Sequence, residues 1–228
     1  MTISDIVNRI YTYTKTNSSS FPAATMLIAI NQAYNRAVSL ILQADGRWEW
    51  DDDNQTDLPI ATTAIAASQQ DYSIDVAFLK IQRVEIKQNG ATQFTKLEPL
   101  DTMDGGDIID NTTTGAPAFY DIKGSSIYLY PVPDFSQASS LKVYVQRGPD
   151  EFTSGEVTTG TKAPGFNSLY HEIIPLQVAS DYWLANDQTK VTGFENKVQK
   201  IEDQIVKDYS KRNKDDASRI TTDYPRHR

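Results

Sequence analysis

The sequence predicts an α+β protein: a helical bundle formed by N- and C-terminal helices, an inserted antiparallel β domain of the sandwich or barrel type, and an extended C-terminal tail. Apolar residues repeat at helical spacing in 4–46 and again in 167–213, and the residues between them alternate as in strands. Because short amphipathic helices cannot bury their apolar faces alone, we expect the two helical stretches to pair with each other.

These patterns divide the chain into four predicted segments. They are the N-terminal helices of the bundle at 1–46, the inserted β domain at 47–152, a linker with the C-terminal helices at 153–213, and a flexible tail at 214–228. The 228 residues suit one large or two small domains with a substantial core.

Composition excludes several classes of protein. The net charge is −8, and because residues 190–228 hold ten Lys/Arg against seven Asp/Glu, residues 1–189 carry −11. Such an acidic body argues against tight nucleic-acid binding. The absence of cysteine excludes disulfides and thiolate zinc sites. The sequence has no apolar run of membrane-spanning length and no signal-peptide pattern at its start, so we expect a soluble protein, made in the cytoplasm, without a membrane partner.

Two N-terminal helices are predicted, near 4–15 and 22–45. Thr2 is a candidate cap for the first, Pro22 falls in the first turn of the second, and Gly46 supplies a stop. Both helices have an apolar stripe, formed by Ile3, Ile6, Val7, Ile10 and Tyr11 in the first and by Leu27, Ile30, Tyr34, Ala37, Val38, Ile41 and Leu42 in the second.

Two tryptophans follow the second helix. Trp48 and Trp50 lie on one face of an extended segment, with Glu49 on the other. We expect both to be structural and buried where the bundle meets the β domain. Trp48→Ala should then lower the melting temperature sharply, since losing a buried tryptophan side chain costs about 3–5 kcal/mol.

The β domain is predicted to have five to seven strands. Asn89-Gly90 indicates a hairpin with a type I′ turn, and Gly124 lies in a second turn. A further strand ends at Gly148-Pro149 and alternates Leu141, Val143 and Val145.

Helical spacing returns near Asn167. Pro175 falls inside an apolar helix, where it should remove one backbone bond and introduce a kink. Thr192 and Glu195 have the spacing of a capping box for a last helix, near 193–212. Beyond it only Ile220 and Tyr224 are isolated apolar anchors, so the tail should be disordered until it binds a partner.

The sequence matches known catalytic and metal-binding motifs only incompletely. Gly155 and Gly160 have phosphate-loop spacing, but Thr161 occupies the lysine position. A calcium-loop pattern starting at Asp51 lacks the required glycine and glutamate. The two histidines, His171 and His227, do not suggest a metal site or a triad. We therefore expect no catalytic residues, no cofactor and no metal ligands.

The order of several motifs resembles a known family. Arg47-Trp48-Glu49-Trp50 follows the helix, and Tyr130-Pro131-Val132-Pro133 closes a strand. With the segments 27–37, 69–74, 116–120, 143–145 and 176–179, they look like the successive landmarks of tailed-bacteriophage head-to-tail connectors, also called adaptors or tail accessory factors. The resemblance covers roughly 25–185. The segments 57–59 and 104–115 match nothing in that family.

The resemblance implies a structural virion protein in the neck, made in the host cytoplasm. It implies a homo-oligomeric ring, a dodecamer, between the portal protein and a tail or nozzle protein. DNA would pass through the lumen without sequence-specific binding, and a lumen lined by carboxylates would let it slide. We expect the tail to dock on the portal through cations and two apolar anchors, namely Lys211, Arg212, Lys214, Arg219, Ile220, Tyr224, Arg226 and Arg228.

Two other classes of function stay open from the sequence. A carbohydrate- or receptor-binding module of a tail would expose aromatic side chains of the β domain, namely Tyr72, Tyr120, Tyr128 and Tyr130. An unrecognised enzyme would need a pocket with perturbed acids. Aromatic residues that alternate along a strand are more often packed in a core than exposed as a carbohydrate-binding surface.

Overall fold

The computed structural model describes residues 1–44, 60–75, 78–100 and 113–210. The chain forms two compact units. We call residues 5–47 and 169–228 the helical unit, and residues 1–4 and 48–168 the β unit. Helices from the two ends of the chain share the helical unit, and the strands lie between them in sequence. This confirms the predicted α+β class. The division into four segments stays a prediction.

Five α-helices occur within the described ranges. They are α1 (Ile3–Thr14), α2 (Ala23–Ala44), α3 (Ser154–Thr159), α4 (Ile173–Asn186) and α5 (Val191–Tyr209). In the helical unit α2, α4 and α5 pack on one another. The indole nitrogen of Trp183 on α4 donates a 3.2 Å hydrogen bond to the carbonyl oxygen of Tyr13 on α1. The apolar stripe of α2 is buried against these helices, through Met26, Ile30, Ala33, Tyr34, Ala37, Val38 and Ile41.

Two details of the C-terminal helices differ from the sequence prediction. The helix expected from Asn167 begins only at Ile173, after a 3-10 turn at Ser168–Tyr170, and Leu169 is 78% exposed. Pro175 is therefore the third residue of α4, in the first turn, where a backbone N–H has no partner within the helix. The predicted loss of a backbone bond does not occur.

The predicted capping box is also misplaced. The last helix begins at Val191 with Lys190 at its N-cap, so Thr192 lies inside it. A capping box occurs instead at α3, where the N–H of Thr153 donates a 2.7 Å hydrogen bond to the Glu156 carboxylate.

The described part of the β unit has ten strands. They are β1 (Ile60–Ile65), β2 (Asp71–Ser73), β3 (Phe78–Ile86), β4 (Thr95–Lys96), β5 (Glu98–Pro99), β6 (Thr114–Gly115), β7 (Phe119–Lys123), β8 (Ser126–Tyr130), β9 (Val132–Pro133) and β10 (Gln137–Arg147). Sheet A has the order β1-β10-β3-β4, sheet B the order β2-β8-β7-β5, and β6 pairs with β9. Four of the ten strands have only two residues, which explains why the sequence predicted fewer.

The two larger sheets enclose one core, as in a sandwich. Sheet A contributes Val84, Ile86, Leu141 and others, and sheet B contributes Ile127 and Leu129. The pairs β5–β7 and β6–β9 are parallel, so the predicted antiparallel pattern holds for the long strands and not for these short ones.

Gly124 and Gly90 each lie in a turn and have a positive φ. Gly124 has φ +60° and lies in a two-residue turn between Lys123 and Ser126, which pair across β7 and β8. The hairpin between β3 and β4 also forms, but its turn is different from the prediction. Gly90 has φ +74° whereas Asn89 has no positive φ. A type I′ turn needs positive φ at both residues, so this turn resembles type II.

Candidate functional site

The predicted docking and junction residues lie outside the described residues. Trp48 and Trp50 fall in 45–59, and all of 211–228 follows the last described residue. Their roles remain predictions. The structure does describe the helix that leads to the tail, α5, and the contacts that hold it.

The end of α5 is anchored to the turn before α4. The hydroxyl group of Tyr170 donates a hydrogen bond to the Asp208 carboxylate, and the rings of Tyr170 and Tyr209 pack with centroids 6.2 Å apart. This hydrogen bond, with burial as a smaller cause, raises the pKa of Tyr170 to about 12. Tyr209 is buried as well. These contacts hold the last turn of α5 against the turn before α4.

An ion pair joins α2 to α5. The guanidinium of Arg36 lies 2.9 Å from Oε1 of Glu202, whose side chain is buried although it is charged. That oxygen makes no hydrogen bond of good geometry within the described structure. Removing Arg36 would leave the Glu202 carboxylate without its charged partner, although solvent screens the pair because the Arg36 side chain is 56% exposed. The pair lines a polar groove of about 450 Å³ between α2, α4 and α5.

The N-terminal helix is joined to α4 in a similar way. The hydroxyl group of Tyr13 donates a hydrogen bond to the Glu172 carboxylate, and Nε of Arg9 lies 3.8 Å from the same carboxylate. Burial, followed by the bond to Glu172, raises the pKa of Tyr13. Helices from the two ends of the sequence are thus connected by polar contacts in addition to the apolar core.

Sequence reasoning missed these anchoring residues. Glu202 is the one with a visible signal, because it falls in phase with the apolar stripe Val198, Ile205 and Tyr209 of α5. An acid at a buried helical position requires a partner. Tyr170 and Asp208 had no such signal, since they are far apart in sequence.

The β unit lacks the features of a carbohydrate platform at two of the four tyrosines. Tyr72 and Tyr130 are in the core, 6% and 2% exposed. The hydroxyl group of Tyr72 accepts a 3.2 Å hydrogen bond from the backbone N–H of Ala66. Tyr120 and Tyr128 are half-buried. Tyr72 and Tyr120 pack with the core between the sheets, as the strand alternation favoured. Tyr128 is in phase with Ser126, on the opposite face of β8 from the buried Ile127 and Leu129.

Features of an enzyme site are weak within the described ranges. His171 is buried, and no cluster of three or more His, Asp or Glu side chains there is arranged to hold a metal ion. The Lys162 ammonium of the phosphate-loop-like segment pairs with Asp150 at 3.0 Å. An apolar cavity between the two sheets has a volume of about 70 Å³, below the roughly 300–1,000 Å³ that is usual for ligand pockets. The polar groove at Arg36 and Glu202 is within that range, so its size alone does not separate it from a ligand site.

Comparison with known families decides the identity. The family described as SU10 adaptor protein matches residues 1–222. The chain belongs to the SU10 adaptor protein family. This match confirms the resemblance to phage head-to-tail adaptors, and it extends the matched region from 25–185 to nearly the whole chain. No curated protein matches the chain.

Membership of the adaptor family sets the class of function. The adaptor family is structural and is not known as enzymatic, and it implies contacts with other virion components. Within the described residues, no helix of this adaptor combines the length and the apolar character needed to cross a membrane.

Proposed function

We propose that the protein forms a dodecameric ring in the virion neck, between the portal protein and a tail or nozzle protein, and that packaged DNA passes through its lumen. The observation that carries this proposal is the family match over residues 1–222, which includes both compact units and most of the tail. A ring of identical copies uses two different surfaces of each copy, a heterologous contact that closes by rotation.

The charge distribution supports a lumen that does not hold DNA. The β unit has eight Lys/Arg against eighteen Asp/Glu, and the helical unit has fourteen against twelve. The negative charge of the protein therefore resides in the β unit. Proteins hold DNA by neutralising phosphates with Lys and Arg, so an acid-rich lumen would let DNA slide.

Within this proposal, the C-terminal tail docks on the portal. The tail contains cations and two apolar side chains, a composition suited to folding on a partner. The contact between Tyr170 and Asp208 holds the end of α5, the helix that precedes the tail. Repetition around a ring then adds avidity to a weak single contact. The docking residues are Lys211, Arg212, Lys214, Arg219, Ile220, Tyr224, Arg226 and Arg228.

A tail truncation tests the docking proposal. A chain ending at Asn213 should fold like the full chain, with the same circular dichroism and melting curve, because the tail has only two isolated apolar side chains, Ile220 and Tyr224, and cannot build a core of its own. It should fail to co-sediment with the portal of its own phage, and electron microscopy should show portals without a second ring. Full portal binding by the truncated chain would move the contact to the helical unit.

A matched variant separates charge from apolar anchoring. Ile220→Ala with Tyr224→Ala keeps every tail cation and removes both apolar anchors. We expect portal binding to weaken by about tenfold or more for this variant, because each anchor fills a pocket in the proposal. Unchanged binding would indicate that the cations alone account for the contact.

A further inference from the structure

The outer face of sheet A has a compact group of cations and aromatic rings. Lys142 and Tyr144 alternate with buried Leu141, Val143 and Val145 along β10, so they point away from the core. Lys142 pairs in register with Glu85 of β3, and Tyr144 pairs with Arg83. We define the basic-aromatic face as Arg83, Lys87, Phe94, Lys96, Lys142 and Tyr144 together with Glu85.

Cation–π contacts hold these side chains in place. The Arg83 guanidinium lies 4.0 Å from the Tyr144 ring centroid. The ammonium groups of Lys142 and Lys87 lie 3.9 Å and 4.5 Å from the centroid of one ring, that of Phe94. Such contacts stabilise a cation without neutralising it. The face is therefore a preorganised positive surface.

The arrangement has more positive charge than the described residues balance. Glu85 is the one acid of the face, and Arg83 pairs with it at 3.0 Å. Neither Lys87 nor Lys142 forms an ion pair with a described residue. Two ammonium groups against a single ring repel each other, and an anionic group placed between them would relieve that repulsion. Half of the eight cations of the β unit lie on this face.

Protein carboxylates suit the basic-aromatic face better than DNA phosphates as its anionic partner. The rings of Phe94 and Tyr144 are already covered by cations, so they are not available to stack on bases. Glu85 would oppose a phosphate backbone, and the chain as a whole repels DNA. Carboxylates of a protein can instead be placed one by one between the ammonium groups.

We propose that the basic-aromatic face is a contact surface for an acidic surface of a second copy of this chain. The chain itself supplies the complementary charge, since the β unit of each copy has eighteen Asp/Glu. The inference rests on the proposed ring, where covering this face by the next copy would also remove a cation cluster from the path of DNA. Opposite charges on two different surfaces of one chain suit a heterologous contact.

Zero-length cross-linking tests this contact directly. The full-length chain, grown with natural and with ¹⁵N nitrogen, is mixed at low salt and treated with a carbodiimide, which joins ammonium and carboxylate groups in contact. We expect mixed-isotope cross-links from Lys87, Lys96 or Lys142 to Asp or Glu residues. The proposal is wrong if these lysines give only same-copy links, or none, or if the wild-type chain stays monomeric at every concentration.

Charge reversal gives a second readout. Lys87→Glu with Lys142→Glu should weaken self-association at low salt by about tenfold or more in sedimentation velocity, because like charges would then face each other. Lys197→Glu with Lys200→Glu, on exposed positions of α5, is the matched control and should leave association unchanged. Rings formed equally well by both variants would overturn this inference while leaving the proposed ring intact.

Two further outcomes would also overturn it. A melting temperature of the monomeric Lys87→Glu, Lys142→Glu variant far below that of the control would mean that the face is covered within its own chain. Retention of wild-type protein by duplex DNA at low salt, lost in the same variant, would assign the face to DNA. Failure of the ring itself would appear separately, as portals without a second ring in the wild-type microscopy.

Discussion

The helical unit requires both ends of the chain, and a buried isoleucine of α2 tests this requirement. Ile30 is fully buried and Ile28, two residues earlier on the same helix, is 62% exposed. Ile30→Ala removes buried methyl groups and leaves a cavity, which should cost about 3 kcal/mol. Ile28→Ala removes exposed atoms and improves helix propensity, so its effect should be within about 0.5 kcal/mol.

Urea unfolding measures this difference. For a unit of this size the slope is about 1.5–2 kcal/mol per molar urea, so Ile30→Ala should lower the midpoint by roughly 1.5–2 M. Hydrogen exchange should localise the effect, with protection falling in α4 and α5 as well as in α2, because these helices pack together. Equal midpoints for the two variants, or unchanged protection in α5, would refute the shared unit.

Two further predictions concern single contacts. Tyr170→Phe should lower the free energy of unfolding by about 1 kcal/mol at neutral pH. Because the Tyr170 pKa is raised from 10.0 to about 12, this contribution is complete below pH 10 and declines as the pH rises through 12, so the advantage of the wild-type protein should shrink over that window in unfolding titrations. Gly124→Ala should destabilise by about 1 kcal/mol because its φ is +60°, whereas Gly148→Ala, with equal free space and no positive φ, should be nearly neutral in thermal melts. A neutral Gly124→Ala would argue against the left-handed turn.

The periodicity of apolar residues predicted the long helices and strands well, because burial of one face sets that periodicity. The predicted helix at 22–45 corresponds to α2, and the strand with Leu141 to β10. The predicted starts of the two C-terminal helices were wrong, because a local sequence signal disagreed with the helix start in the fold. Pro175 looks like an interior helix breaker, yet the true start at Ile173 places it in the first turn. Thr192 and Glu195 have capping spacing, but the packing of α5 starts the helix earlier.

The contacts of the candidate surfaces were not predictable, because they join residues distant in sequence. Tyr170 and Asp208 meet only when α5 folds back on the turn before α4. The basic-aromatic face unites β3, β4, β10 and Phe94, and no sequence pattern marks the register that pairs Lys142 with Glu85 and Tyr144 with Arg83. The alternation of Lys142 and Tyr144 with buried residues was the one available signal.

The shared helical unit has a consequence for synthesis on the ribosome. The apolar stripe of α2 is complete at Ala44, but its partner α4 begins only at Ile173. At about 5–20 residues added per second, the α2 stripe is complete roughly 6–26 s before synthesis of α4 begins. The intervening β unit has its own core and can fold in that interval. Nascent α2 is therefore exposed to aggregation or chaperone capture during that interval, and faster translation between Ala44 and Ile173 should raise the soluble yield.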